Sequence, residues 1–150
     1  MTADVIFSPA RPALTRPEHC AAVLESLERA AELGGDLTDA VYQHLFAAQP
    51  ELEPLFWRDR DGSIRGEMLN RAFEALLDFI EERRYADMML RCEIITHGEF
   101  GVPRTLFTSF FPAVAETVQT TLGPDWTPDM AAAWKQVISD LQACMENLVD

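Results

Sequence analysis

Apolar residues return every three to four positions through most of the chain, and short stretches of Gly, Pro and Asp separate the runs. That period places them on one face of a helix, and no run alternates as a half-buried strand would. Val23, Leu24, Leu27 and Ala31 form the first stripe, in a helix opened by Pro17 and Glu18 and stopped by Gly34-Gly35. Asp36 or Thr38 can cap a second helix, whose broad face is Leu37, Val41, Tyr42, Leu45 and Phe46. Pro50 and Pro54 bracket a tight helical corner ending at Phe56, and Arg58 to Gly62 reads as a polar turn. Ser63 opens a helix that turns Ile64, Met68, Leu69, Ala72, Phe73, Leu76, Phe79 and Ile80 inward. A charged break from Glu81 to Arg84 precedes a helix from about Ala86 to Gly98. The next starts at Pro103 with Phe107, Phe110, Phe111, Val114, Val118 and Leu122 as its stripe, and Pro112 inside it predicts a kink or a lost backbone bond. Thr127-Pro128-Asp129 then caps a last helix that buries Met130, Trp134, Val137, Ile138, Leu141, Met145 and Leu148.

These segments predict an all-α chain. Residues 1–16, with Pro9 and Pro12 and no sustained period, predict an extended or mobile arm, which leaves 17–150 as a single domain. A net charge of −13, from 25 acids and 12 bases, disfavours nucleic acid and anionic membrane as partners. No apolar run has the length of a membrane span, and the first sixteen residues lack the basic start and apolar stretch of a secretory signal. Cytoplasmic residence is the expectation. Cys20, Cys92 and Cys144 are odd in number and lack C-x-x-C spacing, which argues against zinc and a disulfide framework. Cys92 and Cys144 are expected among buried apolar positions, and Cys20 at the surface.

Of three histidines, only His97 lies on a strongly apolar helical stretch, in Thr96-His97-Gly98-Glu99-Phe100-Gly101-Val102-Pro103. A lone imidazole at a helix end, followed by a Gly turn, can fix one neutral nitrogen against a haem face. It can equally be a satisfied core histidine, and the spacing alone leaves both readings open. As a ligand it would use one ring nitrogen and donate from the other to a carbonyl one turn earlier, near Glu93 or Ile94. His44 follows Tyr42 by two and is expected to face elsewhere, exposed; His19 lies near the start of the first helix. Neither forms a metal cluster with His97, and no Ser-His-Asp, phosphate-loop or paired-carboxylate constellation stands out.

Two blocks together point to a family. One is Val41-Tyr42-Gln43-His44-Leu45-Phe46 running into Gln49-Pro50-Glu51-Leu52-Glu53-Pro54-Leu55-Phe56; the other is His97 to Pro103 with Phe107, Leu122-Gly123, Trp126 and Ala133-Trp134. Across nearly all of residues 20–149 the chain resembles bacterial globins, most of all the haem domain of flavohaemoglobins and their single-domain relatives. The resemblance implies a globin fold of about seven to eight helices around a haem b pocket. It makes His97 the proximal iron ligand, Phe56 the phenylalanine packed on the haem face and Tyr42 the distal hydroxyl donor. Counting back from His97 puts Arg65 at the distal polar position and Leu69, with Met68 before it, on the apolar distal wall. Counting forward from Phe56 disagrees by one residue, which implies a slip in the Arg58–Gly62 corner. Arg65 could also pair with a haem propionate, with Arg91 and Arg104 as further propionate partners. Phe46 and Phe100 complete the lining.

Two departures limit what the resemblance implies. No histidine lies between Phe56 and His97, so that stretch holds no distal histidine. Phe107 stands where flavohaemoglobins carry a tyrosine beside the proximal histidine, so the network that strengthens that imidazole lacks a hydroxyl. The expected role is reversible binding of O2, and of NO or CO, or haem redox chemistry. Nitric oxide dioxygenation or a peroxidase-like activity would need a separate reductase, since the sequence shows no flavin or nicotinamide module. A gas sensor would need a signalling partner, and self-association is open. A haem-free globin fold would fill its pocket with side chains such as Phe46, Met68 and Met89.

Overall fold

The computed structural model describes residues 17–148; the arm expected over 1–16 lies outside them. Among the described residues there are six α-helices and two short 3-10 segments, and no strand. They are α1 (Pro17–Gly34), α2 (Thr38–Ala48), α3 (Ser63–Ile80), α4 (Ala86–Glu99), α5 (Thr105–Leu122) and α6 (Pro128–Leu148), with the 3-10 corners at Pro50–Phe56 and Gly123–Asp125. The all-α expectation holds, with each helix within about two residues of where its apolar period and caps place it.

The most extensive packing is α1 against α6, followed by α2 against α5. The stripe of α1 is Val23, Ser26 and Ala30, with Leu24 and Leu27 only half-buried and Ala31 exposed. The stripe read from the large residues is thus displaced by about one position. Its cause is Ser26, which is fully buried, donates to the Val23 carbonyl (2.7 Å) and accepts from Trp134 Nε1 (2.8 Å) on α6. A buried indole N–H needs such an acceptor. The small side chains at 26 and 30 make room for the ring.

The corners are set by carboxylates. Asp61 accepts the amide of Ser63, while Asp59 accepts those of Ile64 (3.1 Å) and Arg65 (2.9 Å), so the polar turn is a double cap for α3. Asp78, buried near the end of α3, accepts from the amides of Arg84, Tyr85 and Ala86 and fixes the start of α4. In α5 the helix runs unbroken through Pro112. The Thr108 carbonyl, which the missing proline N–H leaves without its helical donor, accepts Gln142 Nε2 of α6 at 3.1 Å.

His44 departs from its expected exposure. It is half-buried, with Nδ1 2.9 Å from the Ala40 carbonyl and 3.0 Å from Thr117 Oγ1 on α5, because the broad α2–α5 contact reaches its side of the helix. Cys144 is buried as expected, but Cys92 is exposed on the outer side of α4. Cys20 is half-buried and its Sγ donates to the Ile80 carbonyl (2.8 Å). No described helix is long and apolar enough to cross a membrane.

Candidate functional site

Two cavities lie along His97. The first, about 70 Å³, is walled by α3, α4 and α5, with Met68, Ala72, Ala75, Met89, Leu90, Leu106, Phe107 and Phe110 among its lining. The second, about 200 Å³, opens towards the corner before α3 and is lined by Leu55, Phe56, Arg58, Asp59, Ile64 and Val102. Met68, His97 and Leu106 line both and so divide them.

His97 is held as a ligand would be. Its Nδ1 lies 2.7 Å from the Glu93 carbonyl, which can only accept, so Nδ1 carries the proton and Nε2 keeps its lone pair. The turn after it is tight: the amides of Phe100 and Val102 both donate to the His97 carbonyl at 3.0 Å. Gly101 sits at φ +82°, where a side chain would be strained. Phe107 meets the imidazole edge-on, with ring centroids 5.4 Å apart. The Glu93 carboxylate pairs with Arg71 of α3 at 2.9 Å, and its other oxygen is 3.5 Å from His97 Nδ1.

Tyr42 is 2% exposed and packs on Phe46, Phe56 and Phe110, with centroids 5.4 to 5.7 Å apart. It lines neither cavity and stands one side chain behind Phe56 and Phe110, which do. Its Oη is buried with no hydrogen-bond partner among the described residues. Burial pushes the phenol well above the usual tyrosine range; Arg65 nearby pulls it down and Asp59 pushes it up. It is a neutral donor at any physiological pH. Phe46 packs against Tyr42 and Phe56 and likewise lines neither cavity.

Besides Phe46, three expected lining residues stand elsewhere. Arg65 does not reach into the cavities: its Nε donates to the buried Asp59 carboxylate at 2.9 Å, and Ile64 takes the cavity-facing position. Burial raises the Asp59 carboxyl, but bonds from the Arg65 and Ile64 amides and the Arg65 side chain outweigh it and hold the group below the usual carboxylate range. Leu69 is buried in a different groove, with Leu24 and Leu27 of α1, Leu37 just before α2 and Phe73 of α3. One residue is about 100° of helix, so the face bearing Met68 cannot also bear Leu69. Phe100 is 82% exposed, because the turn that bonds its amide to the His97 carbonyl carries its ring away from the lining. Ile64, Arg71 and Leu106 line the cavities without having been picked out as site residues, and Met89, expected only as a filler of a haem-free pocket, lines the first. The spacing Ile64, Met68, Ala72, Ala75 is the sequence signal that would have found the α3 face.

The residues fit a haem. An imidazole has one nitrogen anchored, the walls around it are apolar, and a buried hydroxyl nearby lacks a protein partner among the described residues. No curated protein matches the chain significantly. The family model described as Globin matches residues 39–145, well over half of the chain and inclusive of both blocks around Tyr42 and His97. The chain belongs to the globin family.

Proposed function

We propose that this globin holds haem b between α3 and α4, with His97 as the proximal ligand, and reversibly binds O2, NO or CO. The observation that carries the reading is the His97 Nδ1 bond to the Glu93 carbonyl, which leaves Nε2 free on a side chain that lines both cavities. Haem supplies an iron with a coordination position for a diatomic ligand and access to more than one oxidation state.

The chain's own residues do the rest. The Glu93 carbonyl fixes the tautomer and the plane of His97. Phe56, Phe107, Phe110 and Leu106 keep water from the site. Tyr42, one side chain behind Phe56 and Phe110, would offer its neutral hydroxyl to the ligand's partial negative charge once those rings give way, a bond worth about 1.5–3 kcal/mol, or roughly ten- to a hundredfold in retention. Arg58, which lines the second cavity and lies over the Trp57 ring, is the cation placed for a propionate. Binding rather than turnover is favoured, since Phe107 gives the imidazole a ring edge in place of a hydroxyl. Dioxygenase or peroxidase work would require a source of electrons beyond this domain.

A second reading has one observation in its favour: the first cavity is only about 70 Å³, with Met68 and Met89 in its walls, as in a haem-free globin whose side chains fill the pocket. Spectra of haem-reconstituted ferrous protein with and without CO decide between them. A CO-dependent, reversible Soret change supports the proposal. Protein that stays colourless after haemin addition and gel filtration overturns it.

A further inference from the structure

Besides His97, the described walls of the two cavities hold four side chains with a lone pair that iron could accept: Met68, Met89, Glu93 and Asp59. Glu93 is committed to Arg71 and Asp59 to Arg65 and two amides. Met89 lies on α4, eight residues before His97 on the same helix, and so belongs to the proximal wall. Met68 belongs to the opposite wall, on α3, and lines both cavities together with His97. Ile64, Ala72 and Ala75, which line the same cavities from α3, carry no donor for iron. A thioether is soft, flexible and suited to iron opposite an imidazole.

We propose that Met68 Sδ is the second axial ligand of the haem-loaded protein at rest, across the site from His97, and yields that position to a diatomic ligand. This rests on the haem reading above. The α3 face supports it from the other side: Arg65 is turned to Asp59 and Arg71 to Glu93, so both cations of that face are paired with carboxylates rather than held for a water in Met68's place. Ligand affinity is then lowered by the fraction of protein with Met68 released.

The test uses the full chain reconstituted with haemin. The wild type should be low-spin in both oxidation states, and proton NMR of the reduced form should show a methionine methyl shifted far upfield by the porphyrin ring current, assigned to Met68. Met68→Leu should turn the spectrum high-spin and raise CO affinity about tenfold if the open form is about a tenth of the wild-type population. The swap conserves volume and should leave the fold intact. Should the variant not take up haem, the NMR assignment in the wild type still decides. A high-spin wild type, an unchanged spectrum in Met68→Leu, or an upfield methyl that belongs to Met89 overturns the inference and leaves the haem reading standing. Failure of the wild type to take up haem overturns both.

Discussion

Replacing Tyr42 by Phe should make the haem-free protein more stable while making the haem-loaded protein a poorer holder of oxygen. Tyr42 is 2% exposed and its hydroxyl has no partner among the described residues. A buried polar group left unpaired costs about 1–3 kcal/mol, which the substitution removes. The three aromatic contacts of the ring survive, since Phe keeps the same faces and edges. Against the gain stands a void of about 15 Å³, costing roughly 0.4 kcal/mol at about 24 cal/mol per Å³. The net is a stabilisation of about 0.5–2.5 kcal/mol. With a urea m-value of about 2 kcal/mol/M, the midpoint should rise by roughly 0.3–1.3 M at unchanged slope. Urea unfolding of haem-free wild type and variant measures this, and stopped-flow release of oxygen from the ferrous haem proteins measures the other half. A midpoint that falls in Tyr42→Phe would refute the reasoning, because the hydroxyl would then have a partner in the folded chain and would not be kept for a ligand.

Ser26→Ala should cost about 1–3 kcal/mol, since it strands the buried Trp134 N–H, and Trp fluorescence followed through urea unfolding reads it directly. Asp59 gives the protein an acid-sensitive corner. Its carboxyl is held below the usual value of 3.8, so its contribution is complete above that pH and is lost as pH falls through the lower folded value. Asp59→Asn should flatten the stability profile in that acid window, and equal acid limbs in wild type and variant would contradict the capping role.

The sequence carried the fold further than the site. Helix limits follow from Pro17, Gly34-Gly35, Ser63 and Thr127-Pro128, where backbone chemistry decides locally. Orientation is different: α3 is apolar on two faces, one lining a groove with residues of α1 and the other lining the first cavity with residues of α4 and α5, and periodicity does not say which neighbour each face meets. That is why Leu69 and Arg65 read as distal residues when Met68 and Ile64 line the cavities. The register was fixed by Asp59, whose two amide bonds and bond to Arg65 cross the corner in a way no helical period encodes. Ser26 escaped for a related reason, because a polar residue reads as surface until its partner, 108 positions away, is known. His97 was legible because its context is local: the i−4 carbonyl and the Gly101 turn lie within five residues of it.

The central claim is that His97 ties iron to this chain. Titration of the protein with haemin, followed in the Soret region, tests it most directly. The account predicts saturation at one haem per chain with a sharpened, shifted band, and loss of that band in His97→Ala with its partial return on adding imidazole. A wild type that never saturates, or a His97→Ala spectrum identical to the wild type, would contradict it.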